Sequence, residues 1–190
     1  IKNNYFTFGS FNNFDKINSE VIMVWSDILK AVKNSRLILK SGKDIHATTR
    51  MKKLFEKNGV LESVEFFNKE DKLEDHLNIY KNVDICLDPF PYNGVTTSFE
   101  AIWMGVPIIT MAGYNFNSRC GESINRNLNM ESLTAKNPDE YILKTIELTN
   151  NRKKYLNIRK SIFQNALKSP LFNQQAFSKN FYKSLEKIIN

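Results

Sequence analysis

The stretch Asp84–Thr110, DICLDPFPYNGVTTSFEAIWMGVPIIT, constrains the fold more than any other part of the chain. It reads as a buried strand, a Pro/Gly loop, a Thr-capped helix and a second buried strand. The first strand is wholly apolar but for Asp84, and two buried strands joined through a helix are expected to lie parallel in a covered sheet. The loop then delivers free backbone N–H groups at a helix N-terminus beside the C-terminal end of a strand. Open α/β sheets bind phosphates at that place.

The same alternation runs through most of the 190 residues. Tyr5–Gly9 is an aromatic strand. Ile17–Val32 is a helix with Val21, Trp25, Ile28, Leu29 and Val32 on one face and Asn18 as its cap. Strand Arg36–Lys40, helix Ala47–Asn58 and strand Ser63–Phe67 follow. Helix Asp71–Lys81 presents Leu73, Leu77 and Tyr80 on one side, with Asp71 capping and Glu74 completing a capping box. Strand Val83–Leu87, helix Thr97–Met104 and strand Val106–Met111 complete the central motif. Helix Arg119–Asn127, a short strand near Ser132–Thr134 and a helix from Pro138 come next. Helices Arg152–Leu167 and Gln174–Ile189 close the chain, broken at Ser169-Pro170. The pattern predicts an α/β fold, a Rossmann-like doubly wound parallel sheet of about six strands with a C-terminal helical tail. Residues 1–150 form the nucleotide-binding domain on this reading. Residues 151–190 are helices that pack back as part of the same unit.

Composition narrows the function classes. The net charge of +7 comes from scattered lysines and not from a basic block. The reading is therefore a solvated surface with no nucleic-acid partner. No apolar run is long enough for a membrane span, and no signal peptide is legible. The two cysteines, Cys86 and Cys120, lack ligand spacing and point to a reduced, cytoplasmic setting. The two histidines, His46 and His76, have no metal-ligand spacing either, and no Asp-x-Asp motif is present. No metal site or cofactor is expected. The chain starts at Ile1 without a methionine, as a piece of a longer protein would.

The candidate site gathers on loops Gly9–Lys16, Lys40–Lys43, Asn68–Lys72 and Asp88–Thr97, at the carboxyl edge of the sheet. In the second half of the last loop, Gly94 can adopt positive φ and let a ligand approach the backbone. Thr96 and Thr97 add hydroxyls to the helix N-terminus, which suits a diphosphate; Thr96 as a simple helix cap is the plainer alternative. Glu100, one turn on, can accept both hydroxyls of a ribose, or can merely complement the helix dipole. Lys16 can neutralise a departing diphosphate, or can be an ordinary solvated lysine. His76 can stack on a base or pack against the strand beneath. The aromatics of Pro89-Phe90-Pro91-Tyr92 and Phe116 line a cleft or fold back on the sheet edge.

Three sets of words, Phe8-Gly9-Ser10-Phe11-Asn12, Asp84–Pro107 and Ser169-Pro170-Leu171-Phe172, resemble in order the catalytic half of the O-GlcNAc transferase family and its bacterial and plant SPINDLY-type relatives. The resemblance covers nearly the whole chain and points to a bacterial member. It implies the second, donor-binding half of a GT-B glycosyltransferase, an arrangement of two facing Rossmann-like domains behind TPR repeats. By position, Lys16 is the catalytic lysine on the diphosphate and Asn13 a polar neighbour of the donor. Backbone at Asp71 and the ring of His76 meet the base. Gly94, Val95, Thr96 and Thr97 hold the diphosphate, and Glu100 takes the ribose. The implied substrate is a nucleotide sugar, UDP-GlcNAc or a GDP-sugar, used without metal. Val95 stands where animal enzymes have histidine, and Leu73 and Ile79 where they have basic residues, so a GDP-fucose donor stays open. The implied partners are the missing first Rossmann domain, TPR repeats and a protein Ser/Thr acceptor. With that half absent, the chain is expected to bind nucleotide and to transfer little or nothing. A non-catalytic nucleotide-binding module and a GT-B enzyme acting on other substrates are the competing readings.

Overall fold

The computed structural model describes residues 4–41, 44–68 and 72–189. Six strands form one parallel sheet: β1 (Thr7–Ser10), β2 (Arg36–Ser41), β3 (Val64–Asn68), β4 (Ile85–Leu87), β5 (Ile108–Met111) and β6 (Thr134–Ala135). Their order across the sheet is β3-β2-β1-β4-β5-β6. Phe8 pairs with Leu37 on one side and Ile85 on the other, so β1 and β4 are the strands at which the winding reverses. Every residue of β1 and β4 is buried. Such strands need helices on both faces, and the connections supply them.

Helix α1 (Ser19–Ala31) starts where Asn18 accepts the Val21 amide at 2.9 Å. Its buried arc is wider than one stripe, with Ile22 and Val24 joining Val21, Trp25, Ile28 and Leu29, and it packs against both α2 (Ile45–Lys57) and α6 (Pro138–Asn150). Helix α2 (Ile45–Lys57) begins two residues before the expected start. Asp44 caps it, accepting the amides of His46 and Ala47. It stops at Gly59, whose φ of 71° a side chain would resist.

Helix α3 (Leu73–Ile79) is shorter than the periodicity predicts and tightens into a single turn at Tyr80–Asn82. The proposed cap Asp71 lies outside the described residues, as do residues 42, 43, 69 and 70 of the predicted loops. The expected apolar stripe holds at Tyr80, which is buried, and at Leu77, which packs partly buried on the core, but is corrected at Leu73, which is exposed; His76 and Ile79 join the buried face. Spacing allows either face, and the polar partner that makes His76 tolerable inside comes from another helix.

Helix α4 (Thr96–Trp103) and helix α5 (Cys120–Asn127) flank β5. Helix α6 (Pro138–Asn150) carries Pro138 in its first turn and Asn137 as cap. Helix α7 (Arg152–Lys168) ends at Ser169, and a single turn at Pro170–Phe172 leads to α8 (Gln174–Ile189). No helix among the described residues is long and apolar enough to cross a membrane.

The first half of the helical tail is tied to the sheet through one buried carboxylate. Asp84 Oδ2 accepts the Thr7 amide at 2.9 Å, and Oδ1 accepts the Tyr155 hydroxyl at 2.9 Å. Arg159 stands 3.8 Å from Asp84 Oδ1 and donates to the Val83 carbonyl at 2.8 Å. Helix α8 has no buried residue. Replacing Asp84 by Ala strands the Tyr155 hydroxyl and the Thr7 amide and should destabilise the fold by about 3 kcal/mol. Urea unfolding measures this, and a loss within error of zero would show that the tie carries no stability.

Candidate functional site

Reversal of the strand order between β1 and β4 splays the loops that leave their carboxyl ends; Asn13 and Lys16 follow β1, Gly94 to Glu100 follow β4, and His76 comes from α3, after β3. After β1, Phe11 and Phe14 are buried and pin the loop down, while Asn13 is exposed. Asn13 caps a single turn at Phe14–Lys16 by accepting the Asp15 amide. That turn carries Lys16 across to the second loop. There its Nζ donates to the Asn93 carbonyl at 3.0 Å and sits 4.2 Å from the centre of the Tyr92 ring. Lys16 is thus a held cation and not a freely solvated one. Burial lowers its pKa from the ordinary lysine value, and the Asp88 charge pulls it back up.

The second loop is organised by two buried polar residues that the sequence reading passed over. Asn93 is fully buried; its Nδ2 donates to the Pro89 carbonyl at 3.0 Å and its Oδ1 accepts the Gly121 amide at 3.3 Å. Asp88 is also buried and grips the loop from below. Its Oδ1 accepts the Gly94 amide at 2.7 Å and its Oδ2 accepts the Thr110 hydroxyl at 2.7 Å. The only hint in the sequence was a charged residue closing an apolar strand. Burial pushes the Asp88 carboxyl up to about 7, against hydrogen bonds from Thr110 and Gly94 and the Lys16 charge.

Gly94 does not use positive φ as expected; the left-handed glycines among the described residues are Gly59 and Gly105. Its need is space. A Cβ there would lie 2.6 Å from Thr97 Oγ1 and 2.7 Å from Ser98 Oγ. The capping expectation is also corrected. Val95, exposed, occupies the N-cap of α4 with no side-chain cap, and Thr96 is the first helical residue, exposed. Thr97 Oγ1 turns away from the cap to donate to Asn12 Oδ1 at 2.9 Å. The first turn of a helix has amides without intrahelical partners, and here the N-cap residue Val95 supplies no side-chain acceptor for them.

A second cluster stands one turn further along α4. His76 Nε2 lies 2.9 Å from Glu100 Oε2, and the Tyr80 hydroxyl donates to the same oxygen at 3.1 Å. Phe11 meets both rings edge-on, 6.0 Å from His76 and 4.6 Å from Tyr80 between centroids. His76 Nδ1 is buried and has no partner among the described residues. Thr97 joins the clusters, its carbonyl accepting Tyr80 and its hydroxyl meeting Asn12. The tertiary fold therefore gathers Lys16, Gly94, Thr97, His76 and Glu100. Asn13, Val95 and Thr96 are exposed, Asp71 lies outside the described residues, and His46 is exposed in the first turn of α2. Of the loop aromatics, Phe90 folds back against Tyr141, whereas Tyr92, Tyr114 and Phe116 are exposed.

The raised carboxyl of Asp88 has a consequence for stability. Folding retains a proton that an unfolded carboxyl, with pKa about 4, would release. The stabilisation is fully present below about pH 4 and is lost as pH rises to about 7. Asp88→Asn keeps an acceptor for Gly94 and removes the titration. The difference in melting temperature between variant and wild type should move in the variant's favour from pH 4 to pH 7 and then level off. A difference independent of pH would contradict the burial of an ionisable Asp88.

Comparison with known proteins accords with this geometry. Residues 1–181 match Glycosyl transferase family 41. A Solanum lycopersicum protein named probable UDP-N-acetylglucosamine–peptide N-acetylglucosaminyltransferase SPINDLY is 36% identical over 195 residues, covering 97% of this chain and 20% of that protein. A Hordeum vulgare protein of the same name is 38% identical over 192 residues, with the same coverage. The chain thus spans about a fifth of the length of these curated relatives. A mutant O-GlcNAc transferase of Thermobaculum terrenum superposes with a TM-score of 0.90 at 28% identity, over 97% of this chain and 36% of that one. Staphylococcus aureus TarM, at 12% identity and a TM-score of 0.67, shares the fold. The Rossmann-like α/β architecture is that of GT-B glycosyltransferases, and the chain belongs to glycosyltransferase family 41.

Proposed function

We propose that this chain is the nucleotide-sugar-binding half of an inverting, metal-independent glycosyltransferase that modifies serine or threonine of proteins. The observation that carries the reading is the uncapped first turn of α4, held between the Lys16 ammonium and the Glu100 carboxylate at the reversal point of the sheet. A nucleoside diphosphate has complementary parts in that order. The amides of Thr96 and Thr97 and the Thr96 hydroxyl meet the phosphates, the Thr97 hydroxyl exchanges Asn12 Oδ1 for a phosphate oxygen, and Gly94 and Val95 shape the approach. Glu100 accepts the ribose hydroxyls. His76, with backbone near Asp71, borders the base, and Asn13 lies at the rim.

In the transfer step an acceptor hydroxyl oxygen attacks the anomeric carbon. The bond from that carbon to the phosphate oxygen breaks, and its electron pair leaves with the diphosphate. Charge therefore grows on the diphosphate, and Lys16 is the fixed cation that stabilises it. No proton need pass through Lys16. The acceptor and the group that takes its proton belong to the part of the enzyme outside these residues. The curated relatives, named as probable UDP-N-acetylglucosamine–peptide N-acetylglucosaminyltransferases, support a UDP-GlcNAc donor.

Calorimetric titration with UDP, UDP-GlcNAc, GDP and GDP-fucose tests the reading. UDP species should bind, and Lys16→Ala and Thr97→Val should each weaken binding about tenfold, the scale of one charge-assisted or phosphate-directed hydrogen bond. Preference for GDP species would redirect the reading to fucosyl transfer, and absence of any binding would overturn it. The purified 190-residue chain should show no sustained transfer to peptide, because donor and acceptor are not held at reacting distance by one half alone. Robust turnover would refute that expectation.

A further inference from the structure

We propose that Tyr80 is a positioning residue for the donor ribose, its hydroxyl holding the Glu100 carboxylate in place. This rests on the reading of Glu100 as the ribose acceptor. The Tyr80 ring is buried against Phe11 and His76, a role that phenylalanine would fill as well. The hydroxyl is what needs a reason. A buried hydroxyl is costly unless satisfied, and its single proton is shared between two acceptors on α4, the Thr97 carbonyl and Glu100 Oε2, each at 3.1 Å. It thus spans the turn that separates the proposed phosphate and ribose contacts. Burial also raises its pKa far above the ordinary tyrosine value, so it remains a donor at any working pH.

The carboxylate is left with one face for a ligand. His76 and Tyr80 both engage Oε2. No donor among the described residues meets Oε1, and the Glu100 side chain keeps 20% of its surface exposed. A carboxylate has lone pairs for about four hydrogen bonds, so two ribose hydroxyls can be accepted without displacing either protein donor. A carboxylate already fixed loses less freedom on binding than one that swings in water. Tyr80 therefore favours a ligand that carries the ribose hydroxyls and adds nothing for one that lacks them.

The test compares UDP and GDP with their 2′,3′-dideoxy counterparts by calorimetry on the whole chain. Wild type should prefer the ribonucleotide about tenfold or more, and Tyr80→Phe should reduce the preference to about twofold while leaving dideoxy affinity unchanged. In a Glu100→Ala background, Tyr80→Phe should have no further effect on the preference, because the tyrosine acts through the carboxylate. Equal losses for both nucleotides would make Tyr80 a packing residue and overturn the proposal, as would an unchanged preference. If neither diphosphate binds wild type, the donor-site reading itself falls, a result distinct from either.

Discussion

Two buried carboxylates bracket the three-residue strand β4, and most of the structure hangs on how their charges are accommodated. Isolated, either would be intolerable in an apolar sheet. Asp84 at the entry is satisfied by the β1 backbone and by Tyr155 and Arg159 of α7. Asp88 at the exit is satisfied by the loop that precedes α4 and by Thr110 of β5. One carboxylate therefore binds the helical tail to the sheet, and the other sets the shape of the ligand loop.

The second carboxylate links architecture to chemistry. By drawing the Gly94 amide inward, Asp88 brings the loop so close to α4 that a side chain at position 94 would collide with Thr97 and Ser98. By its charge it supports Lys16, which spans from the β1 loop to the Asn93 carbonyl. The cation, the open helix turn and the Glu100 carboxylate thus come to one crevice from elements far apart in the chain. Each is fixed by groups that are themselves buried, which is what a site that acts by electrostatics needs.

Much of the fold was legible beforehand because its signals are local. Asn18 before an apolar stripe, Pro138 after Asn137, and the Ser169-Pro170 break each determine backbone conformation within a few residues, and the observed helix ends agree closely. The misplacements have equally local causes. Asp44 caps α2, which starts two residues ahead of where the apolar spacing predicts, and Val95 holds the N-cap where the sequence predicts a threonine. For α3 the spacing of Leu73, Leu77 and Tyr80 was real, but a second face carrying His76 and Ile79 competed with it.

What the sequence determined by itself was the alternation of buried strands and helices, hence a parallel sheet with a phosphate-type loop after β4, and the family words that lie on it. Hydrophobic period and capping chemistry act over one or two turns, so they are readable in order along the chain. Only the tertiary structure decided that His76, Tyr80 and Glu100 form one network, that Asp88 is buried, and that Lys16 is held. Each of those outcomes depends on a polar group finding its partner across 20 or more residues. No local pattern records whether a charged side chain will meet such a partner or face water, and that meeting is what makes its burial affordable in free energy.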